Sequence, residues 1–300
     1  MNIIKKIPIP IAGLMLALFS LGNLLQDIHP YIRHLFGFFG AIILVSIILK
    51  VVLCLEDVKQ DFKNPVIVSS SGTFSMSVML ISTYIINFVP SIAYAIWIIG
   101  IVLHLMLMIY FTYHFIICNF DISTVYPSYW IVFIGITMAA VTSPAHNAQP
   151  HGFIFFLIGF ISMILTSPLV IYRYFIHDEI PPMNKPLICI FTALMSILIV
   201  GYLNSTTNIN TPFLLILYGL SCIFYIFALY KLIEYRNLDF YPSFAAFTFP
   251  FVISALATKG VIKVVGSTTP LNCILTAEII IAIMIVAYVS NRYIGFLKNS

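Results

Sequence analysis

Residues 63–100 read KNPVIVSSSGTFSMSVMLISTYIINFVPSIAYAIWIIG, and this stretch decides the fold. A basic residue and an Asn-Pro step (Lys63, Asn64, Pro65) lead into one apolar run, 72–90, and Pro90-Ser91 alone separates it from the next, 92–118. Proline suits the first turn of a helix, where its missing N–H would be unpaired anyway. A helix needs about 20 apolar residues to cross the hydrocarbon core of a bilayer. The stretch therefore reads as a helical hairpin, two membrane spans joined by a proline turn.

Working outward, the same texture fills the chain. Further apolar runs lie at 7–25, 32–55, 128–144, 152–176, 186–203, 212–233, 242–260 and 271–296, with connectors too short to hold a soluble domain. The chain of 300 residues is 61% apolar and 8% charged, against roughly 25% charged in a soluble domain. Lipid must be the solvent for most of its surface. The expectation is an all-α integral membrane protein, a single transmembrane domain over 1–300 with ten spans. The run after Lys5 and Lys6 lacks a small-x-small cleavage site and counts as the first span, not a cleaved signal.

Charge placement supports the count. With the N-terminus inside, Lys5, Lys6, Lys50, Lys59, Lys63, Arg173, Lys185, Lys231, Arg236, Arg292 and Lys298 are cytoplasmic, and only Arg33, Lys259 and Lys263 lie outside. That is the positive-inside asymmetry, and it puts both termini in the cytoplasm of a multi-pass cell-membrane protein. Were Pro90-Ser91 not a turn, the count would be odd and the termini would fall on opposite sides.

Prolines also mark an internal repeat. Pro10, Pro65, Pro127, Pro186 and Pro242 open the odd-numbered spans, 55, 62, 59 and 56 residues apart. Five hairpins thus start from one side, and parallel repeats relate by an axis along the membrane normal, so they can close around a central pore. Odd spans are rich in small and hydroxyl residues (Ser69 to Thr73, Ser75, Ser77; Gly135, Thr137 to Ala140; Ala245, Ala246, Ser254, Ala255). Even spans are bulkier, as in Ile42 to Val45 or Ile279 to Ile281. Small residues permit close helix approach, so the reading is an inner ring of odd helices and an outer ring of even ones. Gly13, Ser77, Gly135 and Thr248 are expected pore-lining residues.

That inner ring holds almost no ionisable group, which fits conduction: binding must be weak enough for the ion to leave. Pro250 within the ninth span and Pro168 within the sixth break the backbone ladder, and half-helix N-termini facing a cavity favour anions. Glu278 is the one well-buried carboxylate, with Lys259 and Lys263 near the same outer face as potential ion-pair partners; a proton site is the alternative. His104 reads as a hydrogen-bonded core histidine. His146 and His151 flank an outer loop as exposed polarity, and Asn204-Ser205-Thr206 matches a glycosylation pattern weakly. The carboxylate pairs Glu56-Asp57 and Asp178-Glu179 lie in loops, and the five cysteines are scattered without a C-x-x-C pair. Nothing points to a metal, a cofactor or nucleic acid, and no G-x-S-x-G, H-E-x-x-H or P-loop points to an enzyme.

Two short motifs carry a resemblance. Tyr126-Pro127-Ser128-Tyr129-Trp130 and Phe247-Thr248-Phe249-Pro250, on this hairpin plan, resemble the tellurite-resistance/dicarboxylate transporter family, which includes a yeast malate permease and the slow anion channels of plant guard cells. The resemblance implies a homotrimer whose protomers each hold a pore, walled by the odd helices and plugged by a phenylalanine of helix 9, here Phe249. Asn64-Pro65 stands where many members have His-Pro, and Phe191 to Leu194 lack an Ala-Pro pair that several carry; both leave the substrate open. The expected function is a gated anion channel or channel-like transporter for small anions or C4-dicarboxylates, with the bilayer as its other partner. A proton-coupled organic-acid carrier, a tellurite-type exporter, and a membrane enzyme or receptor are the competing readings.

Overall fold

Prolines, caps and apolar runs build helices, and no strand, among the described residues, 2–177 and 179–299, of the computed structural model. We label the long ones α1 Ile9–Leu25, α2 Pro30–Leu53, α3 Pro65–Ile85, α4 Pro90–Cys118, α5 Ser128–His146, α6 Gln149–Phe175, α7 Pro182–Ser205, α8 Thr211–Tyr235, α9 Pro242–Val265 and α10 Thr269–Lys298. Among the described residues nine, α2 to α10, are long and apolar enough to cross a membrane, and α1 is a shorter apolar helix. Asp178 of the Asp178-Glu179 pair lies outside the described residues.

Helix starts follow the sequence signals. The Asn64 side chain accepts from the N–H groups of Val66 and Ile67 at 2.9 and 3.3 Å, capping α3 just before Pro65. Asn210 caps α8 by accepting from Phe213 at 3.0 Å. α3 ends at Ile85 and α4 begins at Pro90, so the short turn is real. α3 starts at Pro65, where the proline signal puts it, seven residues before the apolar run begins at 72. Ser69 and Ser70 bond back to the Val66 carbonyl and Ser71 to that of Val68. Hydroxyls satisfied inside the helix let a polar stretch enter an apolar medium.

Odd and even spans differ in backbone as well as in burial. The buried share is 67% for α3, 72% for α5, 94% for α7 and 72% for α9, against 22–28% for α2, α4, α6, α8 and α10. α1 is buried along nearly its whole length. Four of the five odd spans, all but α3, carry 3-10 turns, at Ile9–Ile11, Gly135–Thr137, Ser143–His146, Pro182–Ile190 and Pro242–Phe247. Pro168 lies inside α6, which continues through it to Phe175. Contacts among the buried spans run in a circuit: α1 to α3, α3 to α5, α5 to α7, α7 to α9, and α9 back to α1. Each of α2, α4, α6, α8 and α10 packs behind its predecessor.

Two glycines set how tightly this circuit closes. A Cβ on Gly159 of α6 or on Gly201 of α7 would run into the Thr137 side chain at the 3-10 turn of α5. Close approach of three backbones there depends on hydrogen in place of a methyl group.

Candidate functional site

Two cavities lie inside the circuit. The first, about 60 Å³, takes its wall from every buried span: Pro10 and Gly13 of α1, Ser70, Thr73 and Met76 of α3, Trp130 to Gly135 of α5, Leu187 to Ile197 of α7, and Ser243 to Pro250 of α9. None of its lining residues is ionisable. The second, about 830 Å³, begins further along each span, two turns on in α1 and one turn on in the others, with Ser20, Leu80, Met138, Val200 and Ile253, and its lining continues with Asn23, Thr83, Asn204 and Lys259. In all five spans the first-cavity residues precede the second-cavity residues. The five buried spans therefore run in one direction.

Helical spacing explains the lining. Ser70, Thr73, Met76, Leu80 and Thr83 fall at steps of three or four, one face of a helix of 3.6 residues per turn. Leu187, Ile190, Leu194, Ile197 and Val200 trace the same stripe on α7. Gly13, Met76, Ile134, Ile197 and Phe249, one from each buried span, are apolar members of the first cavity's wall. Phe249 is 6% exposed.

The backbone around Phe249 is broken in a defined way. Pro242–Phe247 is a 3-10 turn, Thr248 sits at φ −92 and ψ −78, and the α-helical part restarts at Phe249 with Pro250 in its first turn. Pro250 has no N–H to offer the Ala246 carbonyl, so the ladder lapses there. The Thr248 hydroxyl donates to Ala245 O at 2.6 Å and lies 3.3 Å from Gly13 O, tying the break to α1. Gly13 is close enough that a Cβ on it would stand 3.1 Å from Ala245 Cβ.

Across the circuit, α5 is held by His104 of α4. Its Nε2 is 3.0 Å from Val132 O and its Nδ1 2.7 Å from the Ser75 hydroxyl, so one ring joins α3, α4 and α5. A Cβ on Gly135 would stand 2.8 Å from His104 Cε1 and 2.9 Å from Met76 Sδ. The core histidine of the sequence reading thus backs a cavity-wall glycine.

The wide cavity holds the three basic residues that charge asymmetry placed outside: Arg33, Lys259 and Lys263. Lys259 Nζ is 2.8 Å from Asp27 and donates to Leu24 O at 3.0 Å. Arg33 donates to Thr83 O at 2.7 Å and lies over the Tyr84 ring. Asp27 is the one acidic residue lining this cavity, and its bond to Lys259 holds its carboxyl below the usual carboxylate range.

The expected site residues are therefore sorted as follows. Gly13, Gly135, Phe249 and Pro250 line the narrow cavity. Ser77 and Thr248 do not: Ser77 donates to its own helix at Thr73 O, 2.7 Å, one residue round from the Met76 stripe, and Thr248 bridges α9 to α1. Lys259 and Lys263 line the wide cavity. Glu278, 5% exposed, meets neither lysine: it accepts from Ser254 Oγ of α9 at 2.7 Å, while Lys259 turns to Asp27. His146 is not loop polarity, since its ring stacks on Trp97 and its Nε2 is 2.8 Å from the Ser82 hydroxyl. Among the described residues no group of three or more His, Cys, Asp or Glu could hold a metal ion.

Residues missed in the sequence include Arg33, Asn23 and Asn204, each in or beside a connector. Their signal was available in the three outer cations, which share one cavity.

Comparison with known families gives one match: the family described as the voltage-dependent anion channel matches residues 7–294. A search of curated proteins found no match.

Proposed function

The chain belongs to the voltage-dependent anion channel family, whose members are channels or transporters and not enzymes, and from that premise we propose that it is a gated pathway for small anions with Phe249 as the gate. One observation carries the reading: Phe249 lines a neutral cavity, residues that follow it on α9 line a basic one, and all five buried spans contribute to both. A bulky ring in a narrow apolar passage blocks by filling space and by dewetting.

The architecture that goes with this function is ten spans, arranged as five parallel hairpins, with α1, α3, α5, α7 and α9 around the pore and their partners outside. The circuit of contacts, the shared direction of the five spans and their burial support it. The lysine- and arginine-rich end is then cytoplasmic, the membrane is the cell membrane, and the assembly is a homotrimer by family resemblance. Chemical cross-linking in native membranes tests the trimer.

A narrow cavity of about 60 Å³ without a cation favours a small inorganic anion over a C4-dicarboxylate. A dianion stripped of water there would find no fixed positive charge to replace its hydration. The experiment is reconstitution into liposomes with an anion panel, comparing wild type with Phe249→Ala. The variant should raise chloride or nitrate flux about tenfold or more while malate flux stays low. A well-folded variant with unchanged flux removes the gate.

Proton-coupled carriage is the second reading, and Glu278 is what favours it. A carboxyl buried inside the membrane domain, bonded to the helix that carries Phe249, is a rare and costly feature. Flux that follows the proton gradient and is lost in Glu278→Gln would support a carrier; flux indifferent to both would remove it.

A further inference from the structure

Behind the seam between α1 and α3 lies a third cavity, about 360 Å³, open between the exposed faces of α2 and α4. Its floor is Val58 of the short helix Leu55–Asp61 together with Phe62, and its walls include Ile9, Val51, Phe74 and Leu103. The few hydroxyls along it are already spent. Ser71 donates to Val68 O at 2.7 Å, Ser75 to Gly72 O at 2.9 Å, and Tyr110 to Phe62 O at 3.4 Å. A groove with no free donor takes hydrocarbon, and one that opens between membrane-facing helices draws it from the bilayer.

The rim gives the headgroup. Each floor residue is followed by a lysine, Val58 by Lys59 and Phe62 by Lys63. The helix Asn2–Lys6 is held against Leu55–Asp61 by Lys5 and Asp57, 3.3 Å apart, and Lys6 is the next residue along it. Lys59 is 2.7 Å from Glu56, and the buried Lys50 is taken up by Ile7 O and Asp61. Lys6 and Lys63 are exposed, with no ion pair among the described residues. The free cations are close in sequence to groove-lining residues, Lys6 three before Ile9 and Lys63 directly after Phe62.

We propose that this groove is a binding site for an anionic phospholipid, one acyl chain lying between α2 and α4 and the phosphate at Lys6 and Lys63. The bound chain braces the α1–α3 seam of the inner circuit from behind. The occupant is a lipid rather than a second copy of the chain because the cations on the rim have no acidic counterpart on the exposed faces of α2 and α4.

The test uses the full chain in micelles, exchanged with phosphatidylcholine alone or with phosphatidylglycerol added. Native mass spectrometry reads retained lipid and a melting curve reads stability. Each lysine at a membrane surface strengthens anionic-lipid binding about fivefold. Lys6→Gln with Lys63→Gln should therefore cut retained phosphatidylglycerol about thirtyfold and abolish the rise in melting temperature that it gives. The phosphatidylcholine baseline should not move, since both lysines are exposed. Leu103→Trp, which fills the slot, should cut retention with the lysines intact. Equal retention of both lipids by wild type, or a double variant that behaves as wild type, overturns the site. So does efficient disulfide formation between copies carrying Met106→Cys, which would mean that a second copy covers the groove.

Discussion

Replacing Asp27 by Asn removes the one acidic residue lining the wide cavity and frees Lys259 from its 2.8 Å ion pair. A cavity of about 830 Å³ has a radius of about 6 Å if taken as a sphere, so an anion at its centre stands roughly that far from Asp27. Two unit charges about 6 Å apart in water repel by about 0.7 kcal/mol, a factor of about three in local anion concentration. The water dielectric is the right one, because the Asp27 side chain is 67% exposed. In planar bilayers at about 10 mM chloride, Asp27→Asn should raise unitary anion conductance about threefold. At about 1 M salt the screening length falls to about 3 Å, and the gain should nearly vanish. The comparison is made also on the Phe249→Ala background, so that the gate does not mask what happens upstream. An unchanged conductance at low salt refutes the reasoning, as does a gain that persists undiminished at high salt, which would mean a change of shape rather than of field.

Asp27 also fixes a pH dependence. Lys259 lowers its folded pKa, so its ion pair contributes fully above the usual carboxylate range and is lost only as pH falls through the lowered value. The difference between wild type and Asp27→Asn, measured as conductance, should stay constant from neutral pH down through the usual carboxylate range and close only below it. Gly135→Leu should lower anion flux through Phe249→Ala protein at least about fivefold, because a Cβ there already crowds His104 and Met76 at 2.8 and 2.9 Å and the rest must enter the cavity. His104→Leu leaves Ser75 and the Val132 carbonyl without their partner; a lost bond inside a membrane bundle costs about 0.6–2 kcal/mol each, seen as a lower melting temperature with fold retained. Thr248→Val should lower stability by about 1 kcal/mol and leave anion selectivity as it was, since its hydroxyl ties α9 to α1 rather than facing the narrow cavity.

The helical membrane class was legible because composition is a bulk property: charge at 8% leaves no alternative solvent. Family was legible because prolines act locally. Pro65 and Pro90 each sit where a helix must begin, and Tyr126-Pro127 lies one turn ahead of the Trp130 that faces the narrow cavity. The apolar run of α3 begins later than its helix, at 72 rather than at Pro65, because hydropathy weighs a serine by its hydroxyl and cannot see the carbonyl that satisfies it.

Orientation around a helix axis is where sequence reading loses its grip, and the site shows why. Neighbouring residues on a helix point about 100° apart, so Met76 faces the cavity and Ser77 does not, although smallness alone would choose Ser77. Small residues meet two demands in a bundle, lining a passage and letting helices touch, and composition cannot separate them. Gly13 does both, since it lines the narrow cavity and admits Ala245 at contact distance. Charges suffer the same ambiguity over longer spans of chain. Lys259 could have turned to Glu278 on the next helix, yet the circuit brings α1 beside α9 and hands it Asp27 instead. Glu278 is then left with a hydroxyl partner on the helix that carries Phe249. A carboxyl so placed faces both Ser254 and Thr258 of that helix, so Ser254→Ala combined with Thr258→Val should reproduce whatever Glu278→Gln does to flux. If the two variants differ, Glu278 acts by a route other than α9.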